Sequence, residues 1–152
     1  MAAEMQNEEI TRLLTNGVVR SVGRAADMGV VEFDGRGGEK LMAHLQCPFR
    51  ITQDGKIVLG SRDMRHAQKG AGANAFDELR TVFDARAATL NGILEQLRPS
   101  VDGVSVGKAG ELTVSWAPAF QLTAFPDCSG QVEAWRVFVR GGVHHVFPPG
   151  VD

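Results

Sequence analysis

The chain has 152 residues, of which 43% are apolar and 22% charged, and its formal net charge is -2. A chain of that length buries about 70% of its extended surface on folding, and its balance points to one globular domain rather than a disordered polyelectrolyte. The charge argues against sequence-independent nucleic-acid binding, which draws its affinity from Lys and Arg neutralising phosphates.

The opening MAAEMQNEE is acidic and polar, and no apolar run approaches the roughly 20 residues that span a bilayer, so a cytoplasmic protein without a membrane segment is expected. Asn7 can cap a first helix, Glu8 and Glu9 suit its positive end, Ile10, Leu13 and Leu14 share a face, and Gly17 ends it. Extended segments follow at 18–22, 29–33, 40–47, 49–52 and 56–60, separated by Asp34-Gly35, Gly37-Gly38 and Asp54-Gly55.

The segment 61–75 has no apolar periodicity, and loops of this length are usually functional or mobile. It carries Arg62, Arg65, His66 and Lys69 against one acid, Asp63, which suits an anionic partner; a solvated linker explains it equally simply. A second helix is expected over 77–97, because Phe76, Leu79, Phe83, Leu90, Leu94 and Leu97 recur at helical spacing and Pro99 stops it. Strand patterns resume at 104–106, 111–116, 120–125, 134–139 and 143–147.

Sliding the chain along itself exposes a repeat. At an offset of 84, Ser21-Val22-Gly23-Arg24-Ala25 falls on Ser105-Val106-Gly107-Lys108-Ala109, and Asp27, Met28 and Val30 fall on Glu111, Leu112 and Val114. An offset of 81 aligns Leu41, Ala43 and Cys47 with Leu122, Ala124 and Cys128; an offset of 86 aligns Phe49-Arg50-Ile51 with Trp135-Arg136-Val137. Both length changes fall in turns, which absorb them. The expected fold is therefore α+β, an internal duplication of a helix plus a four-stranded antiparallel meander. Repeat 1 covers about 7–60, the loop 61–75, and repeat 2 about 76–147, packed with pseudo-twofold symmetry as a continuous sheet, a sandwich or a barrel.

Several residue types invite chemistry. His44, Cys47, Cys128, His144 and His145 are zinc-preferred ligand types, but residues three apart on a strand point to opposite faces, so no metal site is assigned. Cys47 shares parity with Leu41, Ala43 and Leu45, which makes it core. Arg50 and Arg136 hold matched positions and leave the face opposite Phe49 and Trp135. Brought together they would grip a carboxylate or phosphate, and the plainer reading is a structural ion pair with an acid such as Asp63 or Glu133. Gly35-Arg36-Gly37-Gly38 lies between strands, where no helix follows to hold a phosphate.

The stretch Leu45-Gln46-Cys47-Pro48-Phe49-Arg50-Ile51, the later Gly60-Ser61-Arg62-Asp63 and Glu133-Ala134-Trp135-Arg136 resemble a family of small uncharacterised bacterial proteins. Phe49 stands where many of those proteins have tryptophan. The resemblance implies no activity, catalytic residue or cofactor. The expected function is a small cytoplasmic protein-binding protein of immunity or regulatory type, without catalysis, engaging a protein partner or a second copy of itself. The alternative is a binder or enzyme for a small anionic ligand held between the halves near Arg50 and Arg136.

Overall fold

A computed structural model describes residues 2–150. Helix α1 (Ala2–Leu14) precedes strands β1 (Val18–Ala25), β2 (Met28–Asp34), β3 (Lys40–Leu45), β4 (Phe49–Gln53) and β5 (Lys56–Gly60). After a short 3-10 turn (Ser61–Arg65) come α2 (Val82–Leu97), β6 (Val101–Val106), β7 (Leu112–Trp116), β8 (Phe120–Ala124), β9 (Trp135–Val139) and β10 (His144–Phe147). The Asp54-Gly55 turn between β4 and β5 behaves as its sequence demands. Both residues take positive φ, 53° and 81°, which matches the twist of the strands they join.

The ten strands form two five-stranded antiparallel sheets, ordered β1-β2-β3-β9-β10 and β5-β4-β8-β7-β6. Matching β1–β5 with β6–β10 gives both sheets one order, so the α+β architecture is consistent with two similar halves. The sequence offset of 86 lays β4 on β9 end to end. The anticipated four-stranded meander is arranged differently, because only three strands of each half stay together. The last hairpin of each half crosses to the other sheet, where Ile51 on β4 faces Leu122 on β8, and Ala43 on β3 faces Val137 on β9. Pairing the halves this way satisfies the backbone groups of β3 and β8, which would otherwise be open edges.

Alternation along each strand builds the core. Val22, Val31, Ala43 and Val137 run in register across the first sheet, and Val114, Leu122, Ile51 and Leu59 across the second, all buried. The two inner faces join with Ile10 and Leu14 of α1 and Phe83, Leu90 and Leu94 of α2 in one apolar cluster. Each helix closes a seam between the sheets. Helix α2 lies against β1 and β5, while α1 lies against β6 and sends the Gln6 amide to the Val146 carbonyl of β10 (2.8 Å). The matched residues Asn7 and Asn91 differ in use: only Asn91 covers a strand edge, accepting from Val22 N–H (2.8 Å) and donating to Val22 C=O (2.9 Å).

Both helix starts depart from expectation. Asn7 does not cap α1, since Ala2, Ala3, Glu4, Met5 and Gln6 are good helix formers and the helix already runs through them. Helix α2 starts later than 77, because Thr81 and Asp84 form a capping box in which Thr81 Oγ1 accepts from Asp84 N–H (3.2 Å) and Asp84 accepts from Thr81 N–H (2.9 Å). Residues 76–80 form a turn instead, and the helical spacing of Phe76 and Leu79 with Phe83 reflects no shared buried face.

Because β4 pairs across the halves with β8, carrying β5 on its other side, and β3 pairs with β9, neither half can complete its sheet alone. A fragment of residues 1–66 should give a disordered circular dichroism spectrum, as should 67–152, and mixing them should restore strand signal. Native-like strand content in either fragment by itself would contradict the exchanged pairing.

Candidate functional site

The two matched arginines leave the sheets on their outer sides. Phe49, Ile51, Trp135 and Val137 are buried, and Arg50 and Arg136 between them point away from that core, one on each sheet. The structure does not bring them together. Arg50 lies over Phe125, with its guanidinium carbon 5.2 Å from the ring centroid. Arg136 is held by Glu133, its Nε donating to Oε1 (3.0 Å) and Oε2 (2.9 Å), while its Nη1 reaches His144 Nδ1 at 2.6 Å. An arginine only donates, so His144 Nδ1 is the acceptor in this contact. The ion-pair reading therefore describes Arg136.

His44 shares this outer face and meets Phe138 edge-on at 4.8 Å; Phe138 in turn stacks on His144 at 4.2 Å. Burial, followed by the positive Arg136, lowers the pKa of His44 below the usual imidazole value. Cys47 faces inward as its parity requires, and burial pushes its thiol up to about 12, so it stays protonated and unreactive at neutral pH. Cys128 is exposed. Among the described residues, no three His, Cys, Asp or Glu side chains gather closely enough to hold a metal ion.

The basic segment has a definite shape. Met64 anchors the 3-10 turn in the core, and Arg62, Arg65, His66 and Lys69 are exposed. Beyond it the chain makes a closed loop whose two ends are strapped together. Val82 N–H donates to His66 C=O (2.7 Å), Gln68 N–H to Arg80 C=O (2.9 Å), and Ala67 bridges Thr81. Compact surface loops with paired ends are frequently functional.

At the loop's far side a single helical turn ends at Leu79. Arg80 N–H donates to Ala75 C=O (2.7 Å) and Leu79 N–H approaches Phe76 C=O (3.4 Å), a helix-ending pattern whose left-handed position is normally glycine. Here a leucine holds it at φ 57°, with 60% of its surface exposed. A bulky residue in that region costs about 1–3 kcal/mol.

Arg24 on β1 supports the turn from beneath. Its side chain is 2% exposed, and it donates from Nε and Nη2 to the two carboxylate oxygens of Asp84 (2.8 and 2.9 Å), from Nη1 to Ala26 C=O (2.8 Å) and from Nη2 to Phe76 C=O (2.6 Å). The guanidinium also lies 4.3 Å from the Phe76 ring centroid. The ring keeps 38% exposure, so Phe76 and Leu79 form an apolar tip on a fixed backbone. Burial opposes ionisation of Asp84, but the bonds from Arg24 and Thr81 outweigh it and hold the carboxyl below the usual carboxylate range. Sequence reasoning passed over Arg24, Asp84 and the exposure of Phe76 and Leu79. The Thr81-x-x-Asp84 spacing was the one readable signal among them.

No family model matches the chain, and neither curated proteins nor solved structures contain a match to it. Among the described residues no helix is long and apolar enough to cross a membrane.

Replacing Asp84 by Asn leaves a buried guanidinium without its counter-charge, and should cost about 3 kcal/mol in urea unfolding at pH 7. The folded-state carboxyl titrates below its ordinary value of 3.8, so the wild type holds this contribution above that pH and loses it as pH falls through the depressed value. The difference between wild type and variant should therefore close in acid; a gap independent of pH would contradict the ion pair. In the native protein a thiol reagent should label Cys128 alone, with Cys47 reacting only in denaturant. Rapid native labelling of both cysteines would show that Cys47 is not sealed in the core.

Proposed function

We propose that this chain is a small cytoplasmic protein-binding protein, without catalysis of its own, that presents the strapped loop 66–82 to its partner. The observation that supports this reading is Leu79, held exposed in a glycine-favouring conformation beside the half-covered ring of Phe76. A fold gains nothing in stability from that arrangement, whereas an apolar anchor on an ordered backbone loses little entropy on binding. Interfaces concentrate their energy in a few such anchors.

Arg62, Arg65, His66 and Lys69 lie exposed along the approach to the loop, and Arg80 at its base. The complementary surface is a protein with an apolar pocket that has carboxylates on the side meeting Arg62, Arg65 and Lys69 and none where Asp77 and Glu78 stand exposed between the anchors, which fits a regulatory or immunity-type role. The likeness to small bacterial proteins noted from the sequence belongs to this same reading. The alternative of an anion held jointly by Arg50 and Arg136 draws no support from two side chains on the outer sides of different sheets.

Leu79→Gly separates binding from folding. The substitution relieves the left-handed strain, so thermal stability should hold or rise by about 1 kcal/mol. Partner capture, measured by pull-down from a lysate of the source cells and by size exclusion, should nevertheless weaken about tenfold or more, as it should in Phe76→Ala. Stoichiometric capture undiminished in both variants would overturn the role of the loop, and a wild-type monomer that retains nothing would overturn the proposal itself.

A further inference from the structure

The two seams closed by the helices are not alike. At the α1 seam the helix presents Gln6 and Glu9: Gln6 is bonded to the β10 backbone, and Glu9 is paired with Arg12 and lies near His145. At the offset of 84, those positions in α2 are Leu90 and Ile93. There the helix and β5 leave a groove of about 460 Å³, walled by Ile57, Val58, Val82, Leu90, Ile93 and Phe120. It draws on both halves, since Ile57 and Val58 come from the first and the other wall residues from the second.

Two cations stand on the lining of this groove, Lys56 at the start of β5 and Arg86 in the second turn of α2, and both are exposed. Neither makes an ion pair among the described residues. The one acid on the lining, Asp63, accepts the Gly60 N–H at 2.9 Å instead of bonding either of them. The outer edge of β5 has no strand partner, so its backbone groups also face this side.

The lining is mixed, with Gln53 and Thr89 beside the charged groups and the six apolar residues, and a groove of this size and make-up is within the range of small-molecule sites. Its apolar walls call for a hydrocarbon body and its two unspent cations for one anionic head. We infer that the α2–β5 groove binds a small amphipathic anion, an apolar chain or ring carrying a single carboxylate or phosphate, with the body against Ile57, Ile93 and Phe120 and the head between Lys56 and Arg86. This site meets the strapped loop only at Val82, where the strap ends, and none of Phe76, Leu79, Arg50 and Arg136 lines it.

The probes are decanoate, decyl phosphate and decanol, titrated into the full chain and followed by calorimetry and by amide chemical shifts. Decanoate or decyl phosphate should bind saturably at one site at millimolar concentration or below, with shifts centred on residues 56–58 and 82–93. The stronger of the two identifies the head group. Decanol should bind about tenfold more weakly, and the double variant Lys56→Gln, Arg86→Gln should lower the anions to the decanol level without changing thermal stability. Leu79→Gly should bind the anions as the wild type does, which keeps this test apart from that of the protein-binding loop. Absence of saturable binding of both anions would overturn the inference, as would decanol binding equally well or full binding by the double variant.

Discussion

Everything in this molecule hangs on the exchange of hairpins between its halves. Strands β3 and β8 each need a second neighbour, and each finds it in the other half, β3 in β9 and β8 in β4. A three-stranded sheet with one greasy face and two open edges is a poor structure by itself. Crossing the hairpins widens both sheets to five strands and covers both inner faces at once. The remaining openings lie along the seams, and the two helices fill them with Ile10, Leu14, Phe83, Leu90 and Leu94.

Within that frame the two similar halves differ at particular residues. Arg24 and Lys108 hold matched positions, yet only Arg24 is buried, tying β1 to the start of α2 and to the turn that carries Phe76 and Leu79. Four bonds from the guanidinium, and the Thr81 groups that also bond Asp84, make a buried charge tolerable here. The pair anchors the turn that leads from the basic segment into α2. In the same way, polar residues of α1 line the outside of one seam, while apolar residues of α2 and two cations without ion pairs line a groove along the other. Both candidate sites sit at these departures from symmetry.

Strand positions were legible because period-2 alternation and turn residues such as Asp54-Gly55 are local signals. The inward placement of Cys47 and the outward placement of Arg50 and Arg136 follow from parity alone. The start of α2 was misplaced for a physical reason. Phe76 and Leu79 fit helical spacing, but the Thr81–Asp84 cap and the left-handed Leu79 end one turn and begin another between them. Of the candidate sites, the basic run 61–75 was visible as composition, whereas its apolar tip was concealed within an apparent helix.

The sequence by itself determined the α+β class, the approximate positions of the strands, and the inward side of those around Cys47, Arg50 and Arg136, since these follow from the short-range geometry of the backbone. Tertiary structure decided which strands pair across the halves, that Arg24 meets Asp84 sixty residues away, that Phe76 and Leu79 stand exposed, and that Lys56 and Arg86 share one groove. Those outcomes depend on bringing distant segments together, and the competing pairings satisfy the same local patterns equally well. Only the burial of one common core distinguishes them.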